Sequence, residues 1–364
     1  MKNFILVAGT DYKQIYLKKT PTDFFHYCNV HLDKLYSKEK GNEDLNFYIF
    51  DIRRGKLSLV SYKLNSTTSV YVKEISVYKT FDSVSSNNFF DMDGKKKIRF
   101  HPNTKNIISK WDIYELIEVI GNSNPGTLKE LSIFSHAYLD GPILLNSSQE
   151  SANYTDILGN EIDVISLGYD PNDYDMRMWD ANNFYNISVR PDNEDRILAF
   201  KTAFHSDAIV KLWGCNFWEL TNKLSSVIRK HPAYKRSGLT NDVEFEFKPF
   251  VFTENMLNSI INPILNTTYK KDDKILLQFL EIRRVFCRLY TFTYPHVFSK
   301  LINRKVQAAL PATFTDITPI FKISSLTLEN VLFYKNYFNI KTDDESLNYG
   351  IYTPDFDCKK ALDE

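Results

Sequence analysis

The sequence is poor in the patterns that mark stapled, metal-bound or membrane-embedded proteins. Its 364 residues hold four cysteines, Cys28, Cys215, Cys287 and Cys358, far apart and with no CxxC among them. No set of cysteines and histidines has the spacing of a structural zinc site, and the cysteine count is too low for a disulfide scaffold. Free thiols in a reducing compartment, with no metal and no cofactor, are the expectation. Neither GxxxxGK[ST] nor GxGxxG occurs, so the glycine loops that cradle phosphates are absent. The GxSxG elbow of serine lipases and esterases is absent too. Lys+Arg and Asp+Glu are both 45, so no overall field draws the chain to nucleic acid or to a membrane surface. No apolar run approaches a membrane span. The run near the start, FILVAG, is too short for a signal-peptide core, and charged residues follow it directly. A soluble, cytoplasmic protein is therefore expected; export by a leaderless route would leave no mark.

What the chain does have is material for a large core. Hydrophobic residues make up 43%, and 27 Phe and 22 Tyr bring the aromatics to 15%, enough for one large core or two modest ones. FILVAG (4–9) reads as a buried strand, and FFHYCNVHLDKLY after it repeats its apolar residues at helical spacing. LNFYIFDIRRG (45–55), KLSLVSYKL and SVYVKEISVY read as further strands, and NNFFDMDGKKKIRF as a hairpin around Asp93-Gly94. SKWDIYELIEVIG (109–121) predicts a helix capped by Ser109 and stopped by Gly121. LKELSIFSH (128–136) and AIVKLWG (208–214) are apolar strands, and NFWELTNKLSSVIRK (216–230) is a helix starting almost at once. Strand and helix alternate over residues 1–235, which predicts an α/β core with a mostly parallel sheet flanked by helices. A polar insertion at about 146–203 interrupts that core. Residues 236–364 are expected to form a mainly helical addition packed on it, including KILLQFLEIRRVFCRLYTF.

Two strand ends carry chemistry. LWGCN places Cys215 at the carboxyl end of a buried strand, just before a helix whose positive end would lower the thiol pKa. SIFSHA places His136 at the end of another strand that should run parallel to it. Ligands of open parallel sheets bind at that edge, so a nucleophile and a proton-transfer partner can meet there. Cys28 and Cys287 fall inside helical patterns and read as core, Cys358 as a bystander near the tail. His205 precedes the Cys215 strand and so sits at its opposite end.

The two blocks, LSIFSHA and AIVKLWGCN, resemble those of clan CD cysteine peptidases, the caspase-like clan. The resemblance implies a caspase-like fold, Cys215 as nucleophile and His136 as general acid and base. It also implies an oxyanion hole from the Cys215 N–H and an N–H of the loop after His136. The glycine usual after the clan's histidine is Ala137 here, with Gly141 the nearest glycine. Members that cut after Lys or Arg carry acidic residues on loops at this edge, and Asp11 or Asp207 could fill that role. The implied partner is a protein or peptide substrate, with a partner or inhibitor protein as a further possibility; the long insertion and large helical addition fit a bacterial effector or defence enzyme as well as a housekeeping one.

Other patterns point elsewhere. FFDMDG matches the DxDG of haloacid-dehalogenase-type phosphotransferases but lies in a predicted hairpin rather than after a buried strand. DPNDYDMRMWD carries four carboxylates but lacks the glycine and final glutamate of a calcium loop, so a solvated loop is expected. Two alternatives to a peptidase remain open. One is a non-enzymatic protein-binding module on the same scaffold, with the catalytic edge plugged. The other is a thiol hydrolase acting on a non-protein amide or ester.

Overall fold

The computed structural model describes residues 1–18, 24–65, 67–68, 70–92, 94, 97–101, 106–147, 174–178, 180, 193–216, 218–236, 238–316 and 321–362. An eight-stranded sheet forms the centre. Its strands are β1 (Lys2–Ala8), β2 (Leu45–Asp51), β3 (Lys56–Asn65), β4 (Val70–Thr80), β5 (Leu128–Phe134), β6 (Phe204–Trp213), β7 (Lys305–Ala308) and β8 (Gly350–Tyr352). They lie in the order β8-β7-β6-β5-β1-β2-β3-β4. The neighbours from β7 through β6, β5 and β1 to β2 all pair in parallel. Antiparallel β8 closes one edge, and the β3–β4 hairpin extends the other. The mostly parallel α/β sheet expected from the sequence is what the chain builds. Its inner strands read as continuous apolar runs because helices cover both faces; in β1 every residue after Lys2 is buried.

Among the described residues, the helices of nine residues or more are α1 (Phe24–Glu39), α2 (Lys110–Ser123), α3 (Asn193–Ala203), α4 (Glu219–Ile228), α5 (Phe279–Thr291), α6 (Tyr294–Ile302) and α7 (Leu328–Phe338). Ser109 caps α2 as expected: its hydroxyl accepts the Trp111 N–H, and Asp112 reaches back to the Ser109 N–H in a capping box. Gly121, expected to stop this helix, lies inside it. A Cβ there would fall 1.7 Å from the Ala199 carbonyl oxygen, so the glycine permits close contact between α2 and α3. The C-terminal region is largely helical, but it also gives the sheet β7 and β8. One stretch within it departs from the helical reading, since Ile275–Gln278 is a strand paired antiparallel with Glu244–Phe247. Its residues alternate buried and exposed, the period of a strand rather than a helix.

The cysteines correct another expectation. Cys287 of α5 and Cys358 form a disulfide, while Cys28 and Cys215 are free. The pair closes a sequence separation of 71 residues, a distance no local spacing reveals. Most of the 146–203 insertion lies outside the described residues. Within it, the described residues 174–178 and 180 are buried rather than solvated, whereas Glu194, Asp195 and Leu198 of α3 are exposed: Asp175 and Asp180 are 0% and 1% exposed, as members of ion pairs with Arg177 and Lys110. Of FFDMDG, Phe89–Asp91 pairs antiparallel with Ile98–Phe100, and the expected turn at Asp93 lies outside the described residues. Among the described residues no helix is long and apolar enough to cross a membrane.

Polar side chains interrupt the core under α1. Glu130 and Ser132 of β5 and Lys211 of β6 are all buried. Glu130 Oε1 accepts from the Ser132 hydroxyl and lies 2.5 Å from His31 Nε2 of α1. Lys211 Nζ is 3.6 Å from the other Glu130 oxygen and donates to Glu345 at 2.9 Å. Trp213 Nε1 donates to the Ser132 hydroxyl. Buried charge of this kind is tolerated only when it is paired and hydrogen-bonded.

Candidate active site

The site grows out of the register between β5 and β6. Ser132 lies beside Lys211 and Phe134 beside Trp213, and the last two rings stack with centroids 5.5 Å apart. Pairing runs one residue past the strands, where the Ser135 N–H donates to the Trp213 carbonyl at 3.2 Å. The next residue on one strand is His136; on the other, Gly214 leads into Cys215. The two expected residues are thus delivered to the same sheet edge by neighbouring parallel strands.

His136 opens a small ribbon, His136–Tyr138 paired with Gly141–Ile143. Asp175 braces the chain just beyond it. One of its carboxylate oxygens accepts the backbone N–H groups of Leu144, Leu145 and Asn146 at 2.7, 2.7 and 3.2 Å. The other accepts the Ser147 N–H at 2.9 Å and Arg177 Nη2 at 3.3 Å. Arg177 also donates to Asp140 in the ribbon turn at 3.1 Å. Gly141 has φ +139°, and a Cβ there would meet the Met176 carbonyl oxygen at 2.2 Å. The position therefore demands glycine for a turn packed on the 174–178 segment.

The His136 side chain is 34% exposed and keeps solvent access. Tyr12 and Phe24 meet it edge-on, with centroids 5.1 and 5.5 Å away. Its Nε2 lies 3.4 Å from Asp11 Oδ1, which orients the ring and leaves the other nitrogen for a reacting group. Asp11, expected as a specificity carboxylate, is placed against the histidine. Asp207 is placed in the first half of β6, ion-paired with Lys129 Nζ at 2.7 Å beside His205. That is the end of the strand away from Cys215.

Cys215 is partly buried. Its Sγ accepts the Thr315 backbone N–H at 3.3 Å, and the Thr315 hydroxyl donates to the Gly214 carbonyl. Burial pushes the thiol pKa up, while the Thr315 N–H pulls the other way without reversing it. The helix-end activation expected for this thiol is absent, because α4 begins only at Glu219. Asn216 stays extended instead, its N–H donating to Thr313 O at 2.9 Å and its carbonyl accepting from Ala312 at 2.8 Å. Cys215 and His136 are not hydrogen-bonded to each other in this conformation; each has the other partner just named.

Ala137, which stands where a glycine was expected, takes no left-handed φ. It pairs with Pro142, which has no N–H to give, between ladder positions His136–Ile143 and Tyr138–Gly141 that can exchange both bonds. The Ala137 N–H is thereby turned away from the ribbon. Gly214 keeps the space before it open: a Cβ there would come within 2.8 Å of the Ser135 carbonyl oxygen and the Ala137 Cβ, and 3.3 Å from the Ala137 nitrogen. Beside Cys215 lies a cavity of about 20 Å³, whose lining includes Ala137, Gly141, Leu212, Asn216 and Ala309. Among the described residues no cluster of three or more His, Cys, Asp or Glu could hold a metal ion. Sequence reasoning missed Thr315, Asn216 and the Asp11–His136 pairing. Adjacency to Cys215 could have flagged Asn216, but Thr315 lies 100 residues further on with no pattern to announce it.

No protein-family model matches the sequence, and no curated protein is similar to it. Among solved structures, the chain is matched to a secreted C11 cysteine protease from Bacteroides thetaiotaomicron, determined with an irreversible peptide inhibitor. The identity is 11% and the TM-score 0.23, over 80% of this chain and 59% of that one. At that level of superposition, the chemistry has to be read from this chain's own residues.

Proposed function

We propose that the chain is a cysteine peptidase of the caspase-like clan, with Cys215 as nucleophile and His136 as general acid and base. One observation carries the reading: His136 and Cys215 follow directly on the paired ends of two parallel strands in register, beside a cavity. In the reaction Cys215 Sγ attacks a peptide carbonyl carbon while its proton passes to the His136 nitrogen that Asp11 does not hold. The N–H groups of Cys215 and Ala137 receive the oxyanion as it forms. His136 then gives the proton to the leaving amine, and the peptide C–N bond breaks. Water, deprotonated by His136, cleaves the thioester, returning the thiol and releasing the acid. Asp11 acts through the imidazole as a positioning residue.

The raised thiol pKa and the Thr315 N–H on the sulfur describe a resting state. A substrate strand entering the edge displaces Thr315 and brings the thiol to His136, in keeping with the longer hydrogen bonds of apo sites. The same contact favours the second reading, a binding module whose edge Thr315 plugs permanently.

Peptide hydrolysis should fall by at least about 10³-fold in both Cys215→Ala and His136→Ala. Asp11→Asn should lose about 10–100-fold and alter the pH profile of kcat/KM. Full hydrolysis by either alanine variant would remove the dyad.

A further inference from the structure

The central sheet is open at β4. This strand is last in the sheet order, and among the described residues no strand pairs with its outer side. The opposite edge is covered, since the Ile351 N–H of β8 donates to the Lys341 carbonyl at 2.8 Å. Every residue of β4 except Tyr71 is exposed, with Val72, Ile75 and Val77 at 51%, 67% and 59%. Val72 stands opposite Lys63 and Ile75 opposite Val60, so the apolar side chains occupy both faces. Between them runs a row of outward backbone N–H and C=O groups, the template to which another strand adds.

Edge strands are ordinarily blunted by proline, by a bulge or by charges standing on the edge. Residues 70–80 contain neither proline nor glycine. The one break in pairing with β3 lies near the end of the strand, where Tyr78 has no opposite residue. The charged side chains are drawn back onto the same molecule. Lys73 Nζ lies over the Tyr62 ring at 5.4 Å, Glu74 pairs with Lys63 at 2.6 Å, and Lys79 pairs with Asp112 of α2 at 3.2 Å.

The strand is complementary to its own copy. A two-fold axis perpendicular to the sheet sets two β4 strands antiparallel and keeps each side chain on its own face. Ile75 is the midpoint of Val70–Thr80, so an axis at Ile75 overlaps the whole strand. Ile75 then meets Ile75 of the second copy, Lys73 meets Val77, and Glu74 meets Ser76. An axis at residue 73 or 74 would set Lys73 or Glu74 against itself, and one at residue 76 would set Lys73 against Lys79. Like charges directly opposite each other are destabilising.

We propose that β4 is a self-association surface, on which two copies of this chain pair antiparallel about Ile75 into one continuous sheet. The two-fold contact uses both open edges and closes the assembly as a dimer. It lies across β1, β2 and β3 from β5 and β6, the strands that lead to His136 and Cys215, so the inference does not depend on the peptidase reading. The axis reverses strand direction between copies, and the two Cys215 thiols lie at opposite edges of the joined sheet.

The test is the mass of the full chain by light scattering over about 1–100 μM, with circular dichroism to check the fold of each variant. A particle of twice 42.5 kDa is expected. Ile75→Lys should raise the dimer Kd at least about 100-fold, because it removes the central apolar contact and sets two lysines face to face. Ser76→Glu, opposite Glu74 of the second copy, should raise Kd at least about threefold, and Ser76→Lys should not raise it. The two serine variants keep the test decisive if Ile75→Lys fails to fold. A monomer throughout the range, an aggregate without limiting mass, a dimer indifferent to a folded Ile75→Lys, or equal responses from the two serine variants would each overturn the proposal.

Discussion

Glu130→Gln is the sharpest probe of the charged cluster on the two strands that lead to His136 and Cys215. Glu130 is buried against His31, Ser132 and Lys211, with Glu345 sharing the lysine. Burial alone would push its carboxyl pKa up. The hydrogen bond and charge of His31, helped by Lys211 and Ser132, bring it down to about 2, against an ordinary 4.5. A folded-state pKa below the unfolded one stabilises the fold above the unfolded value, and that stability is lost as pH falls through the folded value. The window is therefore about pH 4.5 down to about 2. At 1.36 kcal/mol per pKa unit, the part of the stability that disappears is roughly 3 kcal/mol. Glutamine has no charge to lose, so urea unfolding of the variant should fall less steeply over this range, by about that amount. Other carboxylates, Glu345 and Asp207 among them, titrate in both proteins and largely cancel in the difference. Parallel curves of unfolding free energy against pH would refute the reasoning.

Two further expectations concern the site and its support. Gly214→Ala should lower peptide hydrolysis by at least about tenfold, because the new Cβ presses on Ala137 and Ser135 and displaces the Ala137 N–H from the oxyanion; unchanged kcat/KM would exclude Ala137 from that role. Cys358→Ser should destabilise the oxidised protein by roughly 2–4 kcal/mol through the loop it opens, and dithiothreitol should weaken the native chain but not the variant. Equal denaturation midpoints with and without reductant would show that the disulfide contributes nothing.

How much of this was legible in the sequence follows from the range of the forces involved. The central strands were readable because burial on both faces writes them as unbroken apolar runs. The Ser109 cap was readable because a capping box spans only four neighbouring residues. The juxtaposition of His136 and Cys215 followed from strand order alone. Contacts that join distant segments left no local trace, as with Thr315 on Cys215, Asp175 beneath the chain after the His136 ribbon, and Cys287 with Cys358. Gly121 was misread for a different reason. Glycine ends helices and also lets helices touch, and only the position of Ala199 decides between the two. Ile275–Gln278 failed because four apolar-rich residues fit a strand and a helix equally well.

The path of the chain through the sheet has a consequence in time. Cys215 and His136 lie in the first two thirds of the sequence, but Pro295, Ala308 and Ala309 of the cavity and Thr315 over the sulfur come much later. During synthesis the Cys215 thiol leaves the ribosome well before the walls that shape the cavity beside it and the amide that covers it. Parallel pairing of β6 with β7 must wait for some ninety residues of intervening chain, and such long-range closure is slow. The thiol therefore passes through a period of greater exposure than the finished fold allows, and residues 295–315 both build its cavity and shield it.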